Sequence, residues 1–451
     1  MGTGFLRVPH ALLIILSCSL CVCVLSSSRR ILLPSFVLGF VILDSIGLLF
    51  APYVRNDFLP YVSQGLGAVD LLKLQHVHTS ELAVHWIFLL ILCLLLVGGI
   101  YSAGKTGFVR VARISCRNKV FLILLKAFAL FSYIRYFLLG PGLELLLSYK
   151  LFYESPSAAV ADRNYVKEVL SLGQGAFLAS ITAYTILPVL ALRSALNGKR
   201  SNFRFWTYCL LSAAYAVQTR QKWPIVAVIL MYLSVYVISR YGISNIRKLP
   251  LGRIAAVLVV GALILVIGTY HFNFGLSWSD SFISGVGRVF VVPCTAEAAY
   301  FYVFPDIFQF RGLSNSFNID LMSNWSRSIS DVTIYDVADI SLGSPSSVNV
   351  SFLAVGWSGA GYLGVVLVSL ILLGLLWAAD TFVCKLPVRD RLLVLALSIP
   401  SLGQLVSSSL VGFISSNAIL VPLLLWLLSI PIVIIRDRKN VEANYERGKS
   451  L

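Results

Sequence analysis

Six basic residues and two proton-carrying side chains hold most of the chemistry this chain could perform. Arg163 and Lys167 are four residues apart, on one face if their stretch is helical. Arg220 and Lys222 share the turn Thr219-Arg220-Gln221-Lys222-Trp223-Pro224. Arg288 is the single charge of Gly285-Val286-Gly287-Arg288-Val289-Phe290-Val291-Val292-Pro293, and Arg311 precedes Gly312. A guanidinium grips a phosphate through two parallel hydrogen bonds, and an ammonium adds a point charge. As a group these residues fit a pyrophosphate; headgroup contact at helix ends is the plainer use of any one of them. His271 could serve as a general base, since imidazole ordinarily changes charge near neutral pH. Glu297, set in an apolar stretch, is the other candidate base. Asp280, Asp306, Asp320, Asp331, Asp336 and Asp339 read as solvated loop charges.

The elements that must position these groups are membrane helices. The chain has 451 residues, 58% of them hydrophobic and 12% charged, against about 25% charged in a soluble domain. Its mean hydropathy is +0.85. Soluble enzymes, disordered chains and disulfide scaffolds are excluded. Apolar runs predict eleven spanning helices (range 10–14), at 8–27, 31–50, 82–103, 120–139, 172–192, 205–218, 224–239, 254–270, 352–378, 392–409 and 412–435, in one membrane domain covering 1–451. All must be helical, because lipid satisfies no backbone hydrogen bond. The first run has no convincing cleavage site and is read as a helix rather than a signal peptide. The stretch 284–304 is apolar enough to lie at the interface as an amphipathic helix.

The net charge of +16 is a topological signal rather than a nucleic-acid footprint. Segments 28–30, 104–119, 193–204, 240–253, 379–391 and 436–451 hold 23 basic and 5 acidic residues. The N-terminus with 51–81, 140–171, 219–223 and 271–351 holds 11 basic and 14 acidic. The first set is therefore expected in the cytoplasm and the second outside. All eight residues singled out above fall in the second set. Asp44, Lys126 and Arg135 lie inside spans, where ionisable side chains are costly and usually functional, although Lys126 and Arg135 are near enough to helix ends to snorkel. Cys18, Cys21 and Cys23 share a span with no acid between them and imply neither a metal site nor a disulfide. No Walker sequence, dinucleotide fingerprint or His-Glu-x-x-His occurs, so an outward-facing site would have to take reactants already activated, as lipid-linked groups.

Several segments carry a family resemblance. Gln221-Lys222-Trp223-Pro224 leads into a span ending Tyr236-Val237-Ile238-Ser239-Arg240-Tyr241-Gly242. Arg288-Val289-Phe290-Val291-Val292-Pro293 stands in the long outer loop, and Ser347-Val348-Asn349-Val350-Ser351-Phe352-Leu353-Ala354 re-enters the membrane ahead of Gly361-Tyr362-Leu363-Gly364-Val365. Arg163-Asn164-Tyr165-Val166-Lys167-Glu168-Val169 and His271 add to these. In them the chain resembles the O-antigen polymerases of Gram-negative bacteria, the Wzy family. It departs from that family's Arg-x10-Gly pattern: nine residues separate Arg163 from Gly173, and eleven separate it from Gly175.

The resemblance implies a GT-C-like glycosyltransferase architecture in the bacterial inner membrane, with short helices in a large periplasmic loop. It implies transfer of a growing polysaccharide from undecaprenyl pyrophosphate onto a newly flipped, undecaprenyl-pyrophosphate-linked repeat unit at the periplasmic face. It implies no cofactor or metal, and a flippase and a chain-length regulator as partners. Arg163, Lys167, Arg220, Lys222, Arg288 and Arg311 would bind the pyrophosphates, with His271 or Glu297 as the base. Two rivals stand beside it: an O-antigen ligase, and a flippase or transporter.

Overall fold

The computed structural model describes residues 3–27, 30–49, 78–103, 118–148, 161–162, 165–166, 169, 174–196, 202–220, 222–246, 264, 267–268, 271–272, 275–290, 292–313, 316, 350–405 and 410–428. Among them there is no strand. Six helical stretches are long and apolar enough to cross a membrane, at Arg7–Ser26, Leu32–Leu49, Thr79–Gly98, Val120–Leu138, Gly175–Leu196 and Phe352–Val383. By length and composition this is a multi-pass membrane protein.

The first three spans are α1 (Thr3–Ser27), α2 (Leu32–Phe40) with its continuation through a π-turn at Val41–Ser45, and α3 (His78–Ala103). α4 (Lys119–Tyr133) also runs into a π-turn, Ile134–Leu138, ahead of the short α5 (Gly142–Leu147). α6 (Gln174–Ile181) passes through a third π-turn, Thr182–Ile186, into α7 (Leu187–Leu196). Then come α8 (Asn202–Gln218), α9 (Lys222–Ile246), α10 (Trp278–Phe290), α11 (Val292–Val303) and the 32-residue α12 (Phe352–Val383). α13 (Val388–Leu397), α14 (Ser401–Leu405), α15 (Leu410–Ile414) and α16 (Asn417–Leu428) follow.

Three expectations change here. Within the predicted span 392–409, the described residues 392–405 are the end of α13, a turn and α14; α13 has only ten residues, about 15 Å of helix, which is short of a bilayer. The run 284–304 is not one interfacial helix. It is divided between amphipathic α10, whose Trp278, Phe282 and Ile283 are exposed, and α11, whose residues 296–301 are all buried. α11 packs on α12 and α3, so its apolar residues fill the core rather than the membrane surface. The ninth predicted span is bent: Ala360 (φ −152°) and Gly361 (φ +57°) leave the helical region inside α12. Most of the predicted span 254–270 lies outside the described residues.

The bend is held from both sides. The carbonyls of Ser358 and Gly359, freed by the interruption, accept the backbone N–H groups of Arg311 and Gly312 at 3.0 and 2.7 Å. Trp357 Nε1–H donates to Phe304 O at 2.8 Å. In this way the segment after α11 takes over the hydrogen bonding that the broken helix gives up, as a buried backbone demands. Gly364 faces the Gly356 carbonyl and Ser316 so closely that no side chain fits between them.

Asp380 in the last turns of α12 caps α2. Its carboxylate accepts the N–H groups of Ile31, Leu32 and Leu33 at 3.0, 3.1 and 3.4 Å. The Arg30 guanidinium lies over the Trp377 ring at 3.6 Å and donates to Thr381 Oγ1 at 3.2 Å. α2 has no capping side chain of its own, so its orphan N–H groups depend on a residue some 350 positions away. Asp380→Ala is expected to lower stability by about 1–3 kcal/mol, the usual result of stranding buried donors. Thermal unfolding of detergent-purified protein would register this as a lower midpoint with unchanged monodispersity.

Candidate functional site

The described residues offer two places with chemical potential. The first is a groove of about 480 Å³ lined by Phe131, Ile134, Leu139, Pro141, Gly175 and Arg135, among others. Arg135 sits in the π-turn that ends α4, where the extra residue per turn redirects side chains, a feature common at functional positions. The guanidinium side chain is exposed and runs past Gly175, whose missing side chain leaves the groove open beside the Arg135 stem. Among the described residues no carboxylate is paired with Arg135. A solitary cation in an apolar trough is suited to an anion attached to a hydrocarbon chain.

The second place is a buried knot where α1, the π-turn of α2, α3, α11 and the start of α12 meet. His10, Asp44, Ser45, Glu81, His85 and Ser351 are fully buried, and Glu297 is 1% exposed. His85 Nε2–H donates to Glu297 Oε2 at 3.0 Å, and Asp44 Oδ2 lies 4.0 Å from the same nitrogen. Given that tautomer, the Ser45 hydroxyl donates to His85 Nδ1, 3.1 Å away. His10 Nε2 donates to Ser45 O at 3.0 Å. Ser351, the N-cap of α12, donates its hydroxyl to Glu297 Oε1. The Phe40 ring stacks on His85 at 5.8 Å and 12°, and Phe88 and Phe352 close the wall behind it. The π-turn turns both Asp44 and Ser45 inward, which a regular helical step between neighbours would not do.

The sequence candidates scatter across this frame. Glu297 belongs to the knot, with both carboxylate oxygens engaged. His271 stands apart, half-buried, its ring stacked on Trp278 at 4.0 Å and its Nδ1–H donated to Leu276 O at 2.7 Å. That bond leaves the Nε2 lone pair for a proton. Arg220, with φ +54°, pairs with Asp162 and donates to Ser148 Oγ at 2.9 Å, so its charge fastens three segments of the chain together. Arg311 is half-buried and contributes its backbone N–H to the α12 bend. Lys222 is the first residue of α9 and Arg288 lies in the last turn of α10; their side chains, and Arg163 and Lys167 entirely, lie outside the described residues.

His10 and His85 are residues of the knot that charge within apolar runs does not mark, because neutral imidazole adds no formal charge. A usable signal existed: Glu81 and His85 are one helical turn apart at the start of an otherwise apolar run. Compared with protein families, with characterised proteins and with solved structures, the chain matches none of them.

Proposed function

We propose that the protein is an O-antigen polymerase: a glycosyltransferase that moves a growing polysaccharide from undecaprenyl pyrophosphate onto a new lipid-linked repeat unit at the periplasmic face of the bacterial inner membrane. The observation that carries this reading is the Arg135 groove. It joins an apolar trough to a guanidinium near the helix end that the charge bias assigns to the outside, and this is the amphipathic shape of a polyprenyl pyrophosphate. Breaking the sugar–phosphate bond leaves negative charge on the departing pyrophosphate, and a cation already in position stabilises that charge without reorganising water. His271, whose Nε2 has no partner among the described residues and whose flat apolar neighbour is Trp278, is the better placed of the two candidate bases for an acceptor hydroxyl. Glu297 has its oxygens tied to His85 and Ser351. The flippase and the chain-length regulator remain the expected partners.

The test is to mix purified protein with undecaprenyl-pyrophosphate-linked repeat units in detergent. A ladder of longer glycans is the expected product; unchanged single units would overturn the reading. Deletion in the native host is expected to leave lipopolysaccharide capped with one repeat unit, whereas uncapped core would identify a ligase. A flippase or transporter is favoured by one observation, the buried acid–histidine knot, since such clusters line proton and ion pathways. Ladder formation with no membrane to cross excludes that reading as the whole function.

A further inference from the structure

We propose that Asp44, His85 and Glu297 form a binding site for one divalent transition-metal ion of the manganese–iron–zinc class. The donor set is one imidazole nitrogen and two carboxylates, a mixture such ions accept. The three ligand atoms lie within 4.8 Å of one another, and every one of the three side chains is buried. An ion with bonds of about 2.1 Å holds neighbouring ligands about 3.0–3.4 Å apart and opposed ones about 4.2 Å apart. The distance from His85 Nε2 to Glu297 Oε2, 3.0 Å, is that of neighbouring ligands, whereas Asp44 Oδ2, at 4.0 Å from the same nitrogen, falls between the two spacings and would shift by a few tenths of an ångström on binding.

The surroundings argue for the site as much as the ligands do. Each of two ligands is oriented by a hydrogen bond on the side facing away from the ion. His85 Nδ1 faces Ser45 Oγ, and Glu297 Oε1 accepts the Ser351 hydroxyl. Ser45 is itself held through its carbonyl by His10. Phe40 fixes the plane of the imidazole. Hydrogen bonds of this kind set ring orientation and ligand basicity in metal centres, and losing one commonly weakens affinity 10–100-fold. When the ion binds, it takes the Nε2 lone pair of the other neutral tautomer: the ring's single proton moves from Nε2 to Nδ1 and is donated to Ser45 Oγ, whose own hydroxyl proton turns away, so the imidazole stays neutral. The ligands come from the π-turn of α2, from α3 and from α11, so the ion would tie the outer loop helix to the amino-terminal spans.

This inference does not depend on the polymerase reading, because binding is measured without lipid-linked substrate. Full-length protein, purified in detergent and stripped with a chelator, is titrated with Co²⁺ and followed by its visible ligand-field absorption. Bound Mn²⁺ and Zn²⁺ are counted separately by elemental analysis after loading. One equivalent per chain is expected. Glu297→Gln and Asp44→Asn, which keep side-chain shape, and His85→Ala should each weaken Co²⁺ binding about a hundredfold or more, and Ser351→Ala should weaken it about tenfold. His271→Ala, outside the knot, should bind as the parent does. Parent protein that unfolds cooperatively yet takes up no metal at micromolar concentration would overturn the proposal without reference to any variant. Variants that bind as tightly as the parent would also overturn it.

Discussion

Arg135→Ala is expected to remove polymer formation almost entirely, with at least a hundredfold loss of glycan ladder per unit protein and a normal unfolding midpoint. The size follows from the role. Donors aimed at developing charge are each worth about 10²–10³ in rate, and the groove contains no second described cation to share the load. Stability should survive because the side chain is exposed and closes no described ion pair. Arg135→Lys separates charge from shape: an ammonium restores attraction but not the two parallel bonds to phosphate, so partial recovery, with KM raised more than kcat falls, is expected. Gly175→Leu tests the trough independently by filling the space beside the Arg135 stem. It should weaken lipid-linked donor binding while leaving the guanidinium intact. Full ladders from Arg135→Ala would remove this groove from the site.

Gly364→Ala is the substitution expected to damage the fold most. A methyl group there would fall on the Gly356 carbonyl oxygen and against Ser316 Oγ, and the first of these is backbone that cannot rotate away. The Ala360–Gly361 bend would have to open, and with it the bonds from Arg311 and Gly312 to Ser358 and Gly359. Overpacking commonly costs about 1–3 kcal/mol; stranding backbone groups in a dry interior adds about 1–3 kcal/mol for each. The expected result is protein with a strongly lowered unfolding midpoint or none recoverable from the membrane. Gly374→Ala, in the same helix with nothing within 4 Å of the added carbon, is the internal comparison and should be neutral or slightly stabilising. Equal midpoints for the two variants would show that the bend is not a close-packed joint.

Much of the polar design was visible residue by residue. Asp44 and Arg135 stand out as charges inside apolar runs, and Glu297 as an acid in an apolar stretch of a polar loop. Their neighbours were not visible. His85 and Glu297 are 212 positions apart, and Ser351 and Glu297 are 54 apart, so no local pattern pairs them. Arg220 reads as an available cation until Asp162 and Ser148 are found against it. The short pieces α13 and α14 read as one span because hydropathy counts apolar residues and does not register the turn between them.

Sequence alone determined that the chain is helical and that its apolar runs belong in a membrane, because both follow from local facts: lipid offers the backbone no hydrogen-bond partner, and a run of about 20 apolar residues is the length of a bilayer. Tertiary structure alone decided where α12 bends, which way the π-turns aim Asp44 and Arg135, and that an acid, a histidine and another acid from three separate helices converge. Those outcomes depend on the register in which distant helices pack, and one residue's rotation of a helix changes which side chains meet while leaving its hydropathy untouched.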